Sequence, residues 1–209
     1  MAVASLSKLT VPLPPGQTSP VQGLLMPKLQ YRFRVVLENF GIPGNATEIT
    51  KQVMNVTRPE VSFEQMELHV YNSRIKYAGK HAWSDVTLTV RDDVSNSVTK
   101  VVGQQIQKQF DFFEQASAAS GVDYKFTTRI EILDGGNGNY TPQVLETFVL
   151  EGCYLQKAVY QQGDYSKSDP MDIAITISYD NAIQLDVGTG DTPMVVGNNL
   201  GRTLGQATG

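Results

Sequence analysis

The chain has 209 residues and a formal net charge of −4, with 41% hydrophobic and 18% charged residues. That length allows one domain with a sizeable core plus arms, and so low a charged fraction leaves surface for partners to cover. The acidic balance excludes a protein that clamps phosphate backbones, because such affinity comes from Lys and Arg neutralising phosphates.

Residues 1 to 27 contain Pro12, Pro14, Pro15, Pro20 and Pro27, which favour extended backbone and cannot donate to a central ladder. They are expected to form a proline-rich arm. The opening MAVASLSKLTVPLPPG has no charged segment followed by an unbroken apolar run, and no run of about 18 apolar residues follows anywhere. Neither a signal peptide nor a membrane span is expected.

From residue 28 to 187 the hydrophobic period is mostly two, as half-buried strands require. Tyr31, Phe33, Val35 and Leu37 alternate with Arg32, Arg34 and Val36. A short strand near Val53 to Thr57 runs into a proline turn. Val61 to Gly79, VSFEQMELHVYNSRIKYAG, reads as a long hairpin turning near Asn72 and Ser73, with about eight residues in each arm. Its apolar residues fall on both faces, Phe63 and Tyr71 on one and Met66, Leu68 and Val70 on the other. A lone domain would leave one of those faces wet, so another chain is expected to cover it.

Val86, Leu88 and Val90 mark the next strand. From Ser97 to Phe113 the apolar spacing becomes three and four, which predicts a single amphipathic helix of roughly four to five turns, with Asp92, Asp93, Ser95 and Asn96 as candidate caps. Period two then returns in Phe126, Thr128, Ile130 and Ile132. Val144 to Glu151 forms a further strand, joined to the one before by DGGNGN at Asp134 to Asn139, a glycine and asparagine turn suited to positive φ. Met171, Ile173, Ile175, Ile177 and Tyr179 complete the set. Residues 188 to 209 are rich in glycine with little apolar periodicity, and are expected to be a second arm.

No chemistry assembles from these residues. His69 and His81 are the only histidines, and twelve residues between two strand positions give no metal-ligand cluster with Cys153. A single cysteine forms no intramolecular disulfide and fits assembly in a cytoplasm. No serine sits in a nucleophile elbow. The glycines at Gly135, Gly136 and Gly138 lack the Lys-Ser/Thr of a phosphate loop, and the same segment lacks the alternating acids of a calcium loop. The sequons at Asn45, Asn55 and Asn139 have no secretory context. The expectation is a protein with no cofactor, no metal and no enzymatic activity. An acceptable rival, a monomeric carbohydrate-binding β-sandwich, needs aromatics around a groove, and Trp83 is the sole tryptophan.

The order of elements resembles the tail tube proteins of contractile-tailed bacteriophages, which share a fold with bacteriocin tubes and the ring-forming secretion tube protein. The resemblance lies in YRFRVVL, then TRPEV, the hairpin ending NSRIKYAG, HAWSDVTLTVRDD, the helix, EGCYLQKAVY and ITISYDNAIQL. It implies a mainly β, antiparallel β-sandwich or barrel with a long hairpin and one packed α-helix. It further implies six subunits in a ring with a continuous β-barrel wall, rings stacked into a tube inside a contractile sheath, and DNA conducted through the lumen during ejection.

Implied partners are copies of the chain itself, the sheath protein, and baseplate and tail terminator proteins. The tape measure protein and DNA pass through without specific binding. The expected location is the virion tail after assembly in the host cytoplasm, with no membrane partner. A tube-initiating baseplate protein of the same fold is the alternative. The lumen candidates are Thr127, Arg129, Glu131, Asp172, Thr176 and Ser178, which alternate with core positions. The candidates for contact between subunits or rings are Phe63, Met66, Leu68, Val70, Tyr71, Ile75 and Tyr77.

Overall fold

The computed structural model describes residues 27–42, 46–134 and 142–186. Of the expected arm at 1–27 only Pro27 is described; the expected arm at 188–209 and residues 135–139 of the expected turn lie outside the described residues. The chain divides after Arg32. In the first unit, the Arg32 N–H donates to the Leu29 carbonyl at 3.2 Å, and the Arg32 guanidinium lies 5.5 Å from the centre of the Tyr31 ring.

The second unit contains, in chain order, β1 (Phe33–Glu38), α1 (Ala46–Gln52), β2 (Val53–Val56), β3 (Glu60–Val70), β4 (Ser73–Ser84), β5 (Val86–Arg91), α2 (Ser97–Gln109), β6 (Phe110–Asp111) and β7 (Ala116–Ser117). Then follow α3 (Gly121–Tyr124), β8 (Phe126–Leu133), β9 (Val144–Tyr160), β10 (Asp172–Ser178) and β11 (Asn181–Asp186). Seven strands join in the order β1-β8-β9-β10-β5-β2, with β11 also on β9. Every pairing is antiparallel.

The 17-residue β9 belongs to two sheets. Its first part pairs β8 and β11, and its last part, Tyr154 to Tyr160, pairs β10. It changes sheet at Gly152, whose φ of +67° is left-handed backbone that glycine adopts freely. A Cβ there would lie 2.1 Å from an Asp180 carboxylate oxygen. The Asp180 N–H donates to the Glu151 carbonyl at 3.0 Å, and Lys125 Nζ meets the same carboxylate at 2.5 Å. That hydrogen bond is the main cause that holds the Lys125 pKa above its ordinary value.

Both sheets turn their alternate apolar residues to one core. Val35 and Leu37, Phe126 and Ile130, and Leu150 and Cys153 come from the first; Leu155, Ile173, Ile175, Ile177, Val86, Leu88 and Val90 come from the second. Burying a side chain of this size stabilises by about 1.5–3 kcal/mol. Helix α2 adds Val98, Val101 and Val102, and Phe40 packs edge-on to Phe126 at 4.9 Å. The architecture is the expected antiparallel, mainly β one.

Several local expectations are corrected. The helix stops at Gln109, and Phe110 turns to extended backbone at φ −150°. The Asp111 carboxylate accepts from the Phe113 and Glu114 N–H groups and from Gln107 Nε2, so side-chain capture of backbone donors ends the helix a turn early. Phe113, expected on the apolar stripe, is 93% exposed. Of the four candidate caps at the helix start, Asp93 takes the first backbone donor of the helix, as its Oδ1 accepts from the Ser97 N–H at 2.8 Å, while Asn96 is left-handed and makes no side-chain cap bond. Hydrogen bonds from Ser95 and Ser97 lower the Asp93 pKa. The short helices α1 and α3 join the one expected helix, and Met171 lies outside the core, exposed.

Candidate assembly surface

The hairpin is longer than the sequence predicts, with 11 residues in β3 and 12 in β4, or roughly 36 Å of extended chain. Val70 pairs with Ser73, leaving Tyr71 and Asn72 as a two-residue turn one position earlier than expected. Tyr71 takes a φ of +49° there, and the Ser73 hydroxyl donates to the Val70 carbonyl at 3.1 Å. The ribbon pairs with no other strand among the described residues. All of its residues are exposed except Trp83, which is half-buried at the base. Trp83 packs on Tyr179 at 5.8 Å and meets His81 edge-on.

The pairing slips between Phe63 and Gln65, which face His81 and Ala78. The extra residue is on β4, at Gly79 and Lys80. A Cβ on Gly79 would come 2.8 Å from the Glu64 carbonyl oxygen, so the bulge depends on the missing side chain. Below it the cross-strand pairs on the apolar side are Val61 with Trp83 and Phe63 with the imidazole of His81. Above it they are Met66 with Tyr77 and Leu68 with Ile75, on the opposite face, because β3 alternates with period two. The apolar stripe therefore changes face halfway along the ribbon.

Every assembly candidate named from the sequence lies on this ribbon and is exposed, from 43% at Ile75 to 100% at Tyr71. Met66, Leu68, Val70, Ile75 and Tyr77 belong to the upper face, Phe63 lies on the lower face and Tyr71 occupies the tip. Val61, the first residue of the expected hairpin, and Trp83, which the sequence reading did not assign to assembly, also lie on the ribbon. With Pro59, Phe148, Ala182 and Gln184 they line a cavity of about 110 Å³ at the ribbon's base.

The six lumen candidates all turn away from the core, as their alternation predicts. They do not share one surface. Thr127, Arg129 and Glu131 are on β8 in the first sheet, and Asp172, Thr176 and Ser178 are on β10 in the second. On the first sheet the charges are matched across β1 and β8: Arg34 meets Glu131 at 2.6 Å and Arg129 meets Glu38 at 2.9 Å. On the second, Asp172 stands opposite Arg91 in the ladder.

Cys153 is buried, and desolvation pushes its thiol pKa up, the reverse of what activates a nucleophile. Among the described residues no group of three metal-ligating side chains comes together, and no described helix is long and apolar enough to cross a membrane. An open cavity of about 460 Å³ between β9 and β10 is lined by Gln161, Asp164, Lys167 and Asp169, with Tyr165 as its one aromatic.

Comparison with family models and with curated proteins finds no match to this sequence. Solved structures do match in fold. A chain of the anti-feeding prophage baseplate, from a six-fold symmetrised reconstruction, superposes with a TM-score of 0.57 at 13% identity, over 78% of this chain and 99% of that one. A chain of the cap that terminates the anti-feeding prophage tube gives 0.58 at 12% identity, over 79% and 95%. A chain of the sheath-tube complex of the extracellular contractile injection system PVC, in its extended state, gives 0.53 at 15% identity, over 90% and 99%. At these identities the agreement establishes the fold.

Proposed function

We propose that this chain, whose fold is the one found in the tube, cap and baseplate assemblies of contractile injection systems, is a structural tube subunit of a contractile phage tail, which catalyses nothing and closes six copies into rings that stack inside a sheath and conduct DNA. The observation that carries this reading is the ribbon of β3 and β4, whose apolar side chains stand in solvent on both faces. Isolated hairpins are marginal in water, and exposed apolar surface of this kind marks an interface. A head-to-tail interface closes into a ring by rotation, and the unlike faces of the ring stack without limit. Sheath, baseplate and terminator proteins are the partners that such a tube requires.

A single lumen wall takes one of the two candidate sets. Thr127, Arg129 and Glu131 suit it, because each arginine on that face is neutralised by a carboxylate on the neighbouring strand. A wall without free cations holds phosphates weakly and lets a polyanion slide.

The test is the double substitution M66D/L68D, which leaves the core untouched. The melting temperature should change by no more than about 3 °C, as for surface substitutions, while rings and tubes disappear in negative stain. Normal tubes from this variant would remove the ribbon from the assembly.

A further inference from the structure

The two strands of the ribbon carry opposite charge. Glu60, Glu64 and Glu67 are the acidic residues of β3, and no Lys or Arg accompanies them. Arg74, Lys76 and Lys80 are on β4, with no Asp or Glu. Glu67 is matched within the ribbon, 3.7 Å from Arg74 and 4.0 Å from Lys76. Glu60, Glu64 and Lys80 make no ion pair among the described residues. Each strand also has one backbone edge with no partner strand among the described residues. An open edge is a row of donors and acceptors ready for another strand.

Resting on the tube reading above, we propose that the acidic edge of β3 receives the basic edge of β4 from a second copy of the chain, so that charge fixes the head-to-tail order of the ribbons. Three features select this occupant. Because β3 and β4 are antiparallel, ribbons set side by side place β4 antiparallel to the next β3, and one uniform ladder runs through all copies. The acidic edge attracts the basic edge and repels another acidic one, which rules out two-fold pairing of like edges. The same arrangement lines up Met66, Leu68, Ile75 and Tyr77 of successive copies into one apolar band, and the cross-strand neighbours needed to cover them come from identical chains.

The experiment uses two charge-reversed full-length chains. E60K/E64K reverses the unmatched charges of the acidic edge, and K80E reverses the unmatched charge of the basic one. Far-UV circular dichroism and melting temperature establish that each is folded, since none of these residues reaches the core. Each alone should lose at least about tenfold of its sedimentable assembly, as expected for like charges held side by side. Mixed in equal amounts they should co-assemble, because each then supplies the edge that the other lacks. Full assembly of either variant alone, or failure of the mixture while the unaltered chain still forms tubes, contradicts the edge pairing and leaves the tube reading standing. An unaltered chain that stays monomeric contradicts both.

Discussion

Gln105 is a polar residue with no exposure, placed where the helix stripe called for an apolar one. Its side-chain oxygen accepts from the Gly41 N–H at 2.9 Å, and its nitrogen donates to the Tyr124 carbonyl at 2.7 Å. It thus satisfies backbone groups on both sides of α2 that would otherwise be buried unpaired. Gln109, one turn on, does the same for Leu155: it accepts from its N–H at 2.8 Å and donates to its carbonyl at 2.9 Å, standing in for a strand where β8 has ended beside β9. Gln105→Leu keeps the volume and strands two backbone groups, so it should cost about 2 kcal/mol or more in chemical denaturation. A loss under about 0.5 kcal/mol would mean that solvent reaches those groups. The sequence shows Gln105 on the inner stripe, but nothing in the pattern shows which backbone it serves, since its partners are 64 and 19 residues away.

The strands were legible because each buries one face, and alternation records that directly. Val86, Leu88 and Val90, or Ile173, Ile175 and Ile177, repeat with period two and all turn inward. Where burial is not periodic, the reading failed. The helix end was missed because Phe110 and Phe113 keep helical spacing, while the Asp111 side chain decides the backbone. The length of β9 was missed because Gly152 interrupts its alternation exactly where the strand passes between sheets and its inner face changes over. Gly152→Ala should be the most damaging single methyl addition among the described glycines. It requires a left-handed alanine and drives the new carbon into Asp180, and a cost of about 3 kcal/mol or more follows from the strain and the displaced turn. A thermal melt unchanged from that of the parent chain would show that the β10–β11 turn is free to move away.

At the scale of the whole molecule, the core takes up the inward-turned apolar residues of the sheets and, of the ribbon, only Trp83 at its base. The rest of β3 and β4, roughly 36 Å of extended chain, leaves Met66, Leu68, Ile75 and Tyr77 in water. The two-sided apolar pattern of this ribbon was visible in the sequence. The change of face at Gly79 and the open edges were not, because they depend on cross-strand register. Selection of a lumen set likewise needed the sheets: six alternating positions look equivalent in one dimension and separate onto two surfaces in three. The account stands on identical copies covering the ribbon. Cryo-electron microscopy of the purified chain at high concentration tests this most directly. Rings or stacked tubes, with neighbouring ribbons in contact and Thr127, Arg129 and Glu131 facing the channel, are the predicted result, and a uniform population of single copies with the ribbon still in solvent would contradict it.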